Sequence, residues 1–457
     1  MTGHRGRALH RGVRTRAALL LSVLSVLTLA ALPAAAADSL LDTYRLARQA
    51  DPRFRGAEFS AQATATLTDQ AFAGFLPSMR FDAERIDTKQ TIISSENPIF
   101  GAGSTTFPTT SQTLSLTQPM FRMDVVRRFE QAKASVRQAD FILLAAEQDL
   151  MVRTAAAYLM VLAANDATAF ARAERESVGR ALELAQEKLK GGLGTITNLH
   201  DATARHALTL AREIEAGNKL NDARQGLREI TGQTPVQLQT LREEFALALP
   251  DPPELDRWVQ VAFDQNLTLL ARREAVVVAS AEIGRQRAGH FPTLNLVLSQ
   301  NLKDSGSTLY GGGSNVRTTE LALRLSVPIF EGGLTMAVTK EASLRHQKSQ
   351  EELEQERRSV ERQTRAAFDG TVSGTTLIKA LAQAVLAQQS ALGAKEQGQK
   401  SGLYTLLPVL DAQRDLYAAK RDYAQARYEY LLNRLKLAQA AGTLTEVHLG
   451  EVSQALQ

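Results

Sequence analysis

Apolar residues recur at every second position in four short stretches of this chain. Leu321, Leu323, Leu325 and Val327 alternate with Ala322, Arg324 and Ser326, which separates an apolar face from a polar one at a period of two. Leu294, Leu296, Leu298 and Leu302 do the same against Asn295, Val297, Ser299 and Asn301, broken only at Gln300. Leu114 and Leu116 alternate with Thr113, Ser115 and Thr117, and a more polar stretch runs from Met79 to about Ile86. The pattern predicts strands over about 78–90, 111–121, 292–303 and 317–329, joined in pairs by Gly, Ser and Thr-rich loops, Ser94 to Ser111 and Asp304 to Val316. Strands of ~10 residues that alternate apolar-out and polar-in are what a transmembrane barrel requires. A soluble hairpin packed on its apolar face carries the same alternation.

Elsewhere the period changes. No proline lies between Pro119 and Pro235 or between Pro328 and Pro408, and both stretches are rich in Ala, Gln, Glu, Arg and Leu. Each can carry a helix of ~65 residues, which at ~1.5 Å per residue is ~100 Å long and needs a coiled-coil partner. The seam is clearest in Ala412, Leu416, Ala419, Tyr423, Ala426, Tyr430, Asn433, Leu437 and Ala440, spaced alternately by four and three. A first-half counterpart runs through Ala202, His206, Thr209, Glu213, Ala216, Leu220, Ala223, Leu227 and Ile230, polar near its start. Taken alone, these helices fit a periplasmic coiled-coil scaffold without a pore as well as they fit a tube.

The punctuation is duplicated. Phe75-Leu76-Pro77 recurs as His290-Phe291-Pro292, 215 residues on, and Gln118-Pro119-Met120-Phe121 as Val327-Pro328-Ile329-Phe330, 209 on. Gly192-Leu193 with Thr195, Asp201-Ala202 and Thr231-Gly232 recur 210 residues on as Gly402-Leu403 with Thr405, Asp411-Ala412 and Ala441-Gly442. Landmarks in one order at one offset indicate a tandem duplication. The halves run from about 38 to 250 and from 251 to 457.

Residues 1–37 stand apart: Arg5, Arg7, Arg11, Arg14 and Arg16, an apolar run from Ala17 to Leu32, then Pro33 and alanines. That order reads as a secretory signal peptide cleaved near Ala37 and Asp38, with an uncleaved anchor as the alternative. Setting it aside removes five of 53 basic residues and none of 49 acidic ones, leaving 48 against 49. Such a balance gives no basis for nucleic-acid binding, which needs clustered Lys and Arg. The chain has no cysteine, which excludes thiolate metal sites and cysteine nucleophiles. No later stretch approaches the ~18 consecutive apolar residues of a helical span, so a membrane form would have to be a closed barrel.

In combination the pattern resembles the TolC family of outer-membrane factors over the mature chain to about Thr445. The features are Tyr44-Arg45-Leu46-Ala47 leading to Asp51-Pro52, Leu76-Pro77 and Phe291-Pro292, and Pro328-Ile329-Phe330-Glu331-Gly332-Gly333. Gly192-Leu193, Gly402-Leu403, Val409-Leu410-Asp411-Ala412 and Leu227-Arg228-Glu229-Ile230-Thr231-Gly232 complete them. The resemblance implies an α+β membrane protein in the bacterial outer membrane. Each protomer of a homotrimer would give four strands to a 12-stranded barrel in lipid and long antiparallel helices to a periplasmic tube. It also implies a passive exit duct for efflux or type I secretion, docked through a periplasmic adaptor to an inner-membrane ABC or proton-driven pump.

The same resemblance places Asp411, with its repeat partner Asp201 and with Tyr404, at a closable periplasmic entrance. It places Gly192, Leu193, Thr195, Gly402, Leu403 and Thr405 at tips that an adaptor would meet. An acid in a first helical turn also stabilises the helix dipole wherever it points, by ~0.3 to 1 kcal/mol. Tyr404 and Pro408 stand where well-studied members carry charges, so a charged latch does not carry over intact. No HExxH, GxSxG, P-loop or dinucleotide loop occurs, and neither an enzyme nor a cofactor is expected.

Overall fold

The computed structural model describes residues 39–94, 103–233, 237–307 and 312–457. The expected signal segment and its cleavage point lie outside the described residues. In chain order the elements are helices α1 (Leu40–Ala50) and α2 (Pro52–Ala73), strands β1 (Ser78–Ile92) and β2 (Gly103–Arg122), then helices α3 (Met123–Lys190) and α4 (Ile196–Thr231). The set recurs as α5 (Leu255–Gln265), α6 (Leu267–Arg287), β3 (Thr293–Ser305), β4 (Ser314–Ser326), α7 (Leu334–Lys400) and α8 (Leu406–Ala440), closed by α9 (Glu446–Gln454).

The strands form one antiparallel sheet in the order β1-β2-β3-β4. Register aligns the alternation across all four. Met79, Leu116, Leu298 and Leu321 lie in one row, and the next row, Arg80, Ser115, Ser299 and Glu320, points to the opposite face. Leu296 opposite Leu323 and Leu294 opposite Leu325 extend the apolar face. On the polar face the Asn301 side-chain amide donates to the Ser111 and Thr113 hydroxyls at 2.9 and 2.7 Å. The apolar face is open: Met79, Phe81, Leu321, Leu323 and Leu325 are all exposed.

The strands differ in extent from the alternation. β2 begins at Gly103 within the stretch expected to be a loop, and its Ser104, Thr105 and Thr106 pair with Thr91, Gln90 and Lys89. Threonine has high strand propensity without contributing an apolar period, so a strand polar on both faces escapes a pattern search. β3 and β4 likewise take in Asp304, Ser305 and Ser314 to Val316. β4 ends at Ser326, before the expected 329.

Below the sheet stand the long helices. α3 and α7 have 68 and 67 residues, ~100 Å each. Each pairs with a shorter antiparallel partner, α3 with α4 and α7 with α8. Of the predicted seam of α8, Ala412, Leu416, Ala426, Tyr430, Leu437 and Ala440 are buried, while Ala419, Tyr423 and Asn433 are half-buried. On α4 the buried stripe is Ala202, Thr209, Leu220, Ala223 and Leu227.

The main core lies partway along the helices, where α1, α3, α8 and α9 meet around Tyr44, Leu150, Tyr158, Tyr430, Leu435 and Leu449. The segment after α4 straps this region. Tyr158 Oη donates to the Gln239 carbonyl at 3.2 Å, Tyr430 Oη to that of Ala248 at 2.7 Å, and Thr240 pairs with the terminal Gln457. Asp51, almost fully buried, caps α2 by accepting from Phe54 N at 2.6 Å and binds Arg153 at 3.0 and 3.3 Å. Its repeat partner Asn266 caps α6 through Leu269 N at 3.0 Å and donates to the Ala440 carbonyl at 2.9 Å.

Two outcomes follow from these contacts. A charge placed on the apolar face by Leu323→Arg is expected to cost ~2 to 4 kcal/mol near the bilayer midplane, seen as loss of outer-membrane assembly, while Arg324→Lys is tolerated. Burial alone would raise the Asp51 carboxyl, but Arg153 and the Phe54 amide outweigh it and hold it below the usual range. A depressed folded-state pKa gives stability that is present above the unfolded value of ~4 and lost as pH falls through the lower folded one. Asp51→Asn should therefore lower thermal stability at pH 7 by about 1–3 kcal/mol and show a smaller further loss on acidification to pH 3 than the parent.

Candidate channel entrance and docking tips

The ends of the helical hairpins farthest from the sheet are two turns of the same construction. In the first, Gly191 N donates to Glu187 O, Gly192 N to Leu189 O and Leu193 N to Lys188 O. In the second, Ser401, Gly402 and Leu403 N donate to Gln397, Gln399 and Gly398 O, each 210 residues on. Gly192 and Gly402 have φ of 70° and 80°, a left-handed backbone that side chains resist, which explains glycine at both. The next residues, Leu193 and Leu403, are thrust outward and are 86% and 80% exposed.

The turns differ where the helices restart. Thr195 caps α4 by accepting from Asn198 N at 3.3 Å. Thr405 makes no side-chain cap, because the residue three positions on is Pro408, which has no N–H to donate. The half-exposed Tyr404 ring instead lies on Gly398 near the end of α7, in space that any side chain at 398 would fill. A small apolar knot of Val178, Ala185, Ala202, Leu406 and Leu410 holds the two tips side by side.

Just above that knot the charges cross-link the repeats. An Arg205 guanidinium nitrogen lies 2.5 Å from Asp411 Oδ1, and Arg414 lies 3.4 Å from Asp411 and 2.8 Å from Asp415. The Arg205 side chain is mostly buried and that of Asp411 about a third exposed, at 13% and 36%. Asp201 has no ion-pair partner among the described residues, so the two repeat-related acids have different surroundings. Farther up α3, buried Glu174 lies 3.2 Å from Arg212 of α4. Burial raises the Glu174 carboxyl, opposed by Arg212, Arg421 and Arg205. The sequence reading missed Arg205, because its partner is on the other repeat and nothing local marks the pair.

The model of the outer membrane efflux protein family matches residues 43–233 and 258–443. The chain belongs to this family. It is 31% identical over 423 residues to the outer membrane protein TolC of Vibrio cholerae, covering 92% of this chain and 94% of that one. It is 30% identical over 438 residues to the proteases secretion protein PrtF of Dickeya chrysanthemi, covering 95% and 94%. Among solved structures, the Campylobacter jejuni CmeC outer membrane channel shares the fold with a TM-score of 0.76 over 92% of this chain and 90% of that one, at 15% identity. The family chain is thus an outer-membrane exit duct with a periplasmic extension, of the efflux or type I secretion kind, and its relatives are channels, not enzymes. The scaffold reading falls with that assignment.

If the Arg205 pair ties the tips together, Arg205→Ala should raise amide exchange in the first turns of α4 and α8 by about two- to five-fold, equivalent to ~0.5 to 1 kcal/mol. Exchange in the sheet should not change. Raising salt should reproduce part of the effect in the parent, since the carboxylate is open to solvent.

Proposed function

We propose that three copies of this chain assemble into a continuous duct, with a barrel in the outer membrane and a helical tube in the periplasm. The sheet is the observation that supports this most strongly. Four strands with one apolar face, one polar face and two unpaired edges cannot span lipid alone, and small closed barrels need ~8 strands or more. Three copies supply 12. The apolar face then meets outer-membrane lipid and the polar face lines the lumen. The duct is passive and holds no cofactor.

The tips are the docking end. Gly192, Leu193, Thr195, Gly402, Leu403 and Thr405 present two like-built turns, and the exposed leucines offer an apolar contact to a periplasmic membrane-fusion adaptor. That adaptor joins the duct to an inner-membrane ABC or proton-driven pump. Asp411 lines the narrow end with Tyr404, and Asp201 contributes more weakly. A ring of Asp411 carboxylates favours cations, tempered by Arg205 and Arg414. Relatives matched along nearly the whole chain include proteins named for protease secretion, so secreted polypeptide and small toxic molecules both stand as cargo.

In planar bilayers, Asp411→Asn should lower cation preference and weaken block by multivalent cations, more than Asp201→Asn does. Unchanged selectivity would return Asp411 to the role of a helix-start acid paired to Arg205. Deletion of the gene, scored for drug sensitivity and for secreted protein, separates the cargoes. Loss of secretion alone assigns polypeptide, and sensitisation alone assigns efflux.

A further inference from the structure

The apolar face of the sheet changes character along its height. From the row of Leu294 and Leu325 up to the row of Phe81, Leu114, Gln300 and Thr319, no residue on this face is charged. The next row away from the helices brings Arg317, beside Leu302, Gln112 and Ala83. The row after it holds Arg85 and Asp304, and beyond them the β1–β2 hairpin alone adds Asp87 and Lys89 to the same face. Arg85, Lys89 and Arg317 are all exposed.

These bases are placed differently from those on the polar face. There Lys303 shares a row with Glu84, and Arg80 shares one with Glu320, so each charge has an opposite one in its row. On the outward face Arg317 has no acid in its row, Lys89 faces Thr106, and neither forms an ion pair among the described residues. Two acids stand near: Asp304 diagonally from Arg317, and Asp87 at 3.6 Å from Arg85. Both side chains of that last pair are exposed, which leaves Arg85 largely free for another partner.

The level at which the charge begins identifies the partner. Ten positions separate Arg317 from exposed Val327, just past the periplasmic end of β4. At ~3.4 Å per residue and a strand tilt of ~40° that is a height of ~26 Å, which matches the ~25 Å apolar band of outer-membrane barrels. Arg317 therefore stands where hydrocarbon gives way to headgroups.

We propose that Arg317, with Arg85 and Lys89, binds the phosphate groups of anionic lipids in the outer leaflet of the membrane. A guanidinium donates two parallel hydrogen bonds to a phosphate, and the lysine adds a point charge. A lipid fits better than a soluble anion because Leu302 lies beside Arg317 and Leu321 lies one strand repeat below it on the same face, so a bound phosphate and the acyl chain beneath it are met together. The same bases would be costly lower in the band, where none occurs.

This inference rests on the proposed placement of the apolar face in lipid. Full-length protein purified in mild detergent is mixed with bisphosphorylated lipid A or with its phosphate-free form, and bound lipid is counted by native mass spectrometry. The parent should bind the phosphorylated form several-fold more tightly, and the Arg85→Gln, Lys89→Gln, Arg317→Gln triple variant should bind both forms alike. Arg317→Lys, which keeps the charge, and Arg80→Gln, which alters only the polar face, should each retain the preference, so misfolding is told apart from loss of the site. Displacement of the lipid by an equal concentration of inorganic phosphate would make this a free-anion site and overturn the lipid assignment. A preference that survives in the triple variant but is lost on chelation of divalent cations would assign the contact to Asp87 and Asp304 and overturn the basic rim. Equal binding of both forms by the parent overturns the proposal and leaves the apolar face in lipid, whereas binding of neither form overturns both.

Discussion

A backbone amide in hydrocarbon has no water to bond, and this constraint organises the whole chain. It requires every spanning strand to be paired on both sides, so a four-stranded sheet is incomplete by construction. The apolar row Met79, Leu116, Leu298 and Leu321 makes sense only against lipid, and the polar row beside it only against water. Tandem duplication meets the constraint economically. One hairpin design, used twice, supplies the internal β2–β3 junction and leaves β1 and β4 as the two edges of the sheet.

Under the sheet the problem is different, because long helices are stable only when their apolar stripes are covered. The α8 stripe and the α3–α4 and α7–α8 pairings cover part of that surface within the chain. Where α1, α9 and the strap after α4 wrap the bundle, buried Tyr158 and Tyr430 end in hydrogen bonds to strap carbonyls, which pins a segment with little secondary structure of its own. Toward the tips the packing thins to one small apolar knot and a few ion pairs. Those tips are thus held by weaker and more salt-sensitive contacts than the middle of the bundle, as the proposed opening and docking would require.

Much of this was legible in the sequence. Strict alternation in β3 and β4, the proline-free stretches and the heptad seam are periodic signals, and the repeated Pro and Gly landmarks located both turns. The first residues of β2 were not legible, because a strand of serine and threonine, polar on both faces, has no amphipathic period. The entrance was legible only in part. Gly192, Gly402 and Asp411 could be marked from position, but the partner that fixes Asp411 is Arg205, from a helix more than 200 residues earlier, and only folding brings them together. Pro408 illustrates the converse: one residue explains why Thr405 cannot cap its helix as Thr195 does.

The account stands on the sheet having one face in lipid and one in water. The most direct test introduces single cysteines, Leu323→Cys and Arg324→Cys, and measures their labelling by a charged, membrane-impermeant maleimide in outer-membrane vesicles. The account predicts rapid labelling at position 324 and protection at 323 that is lost on detergent denaturation. Equal labelling of both in intact vesicles, or protection at 324 with labelling at 323, would contradict it.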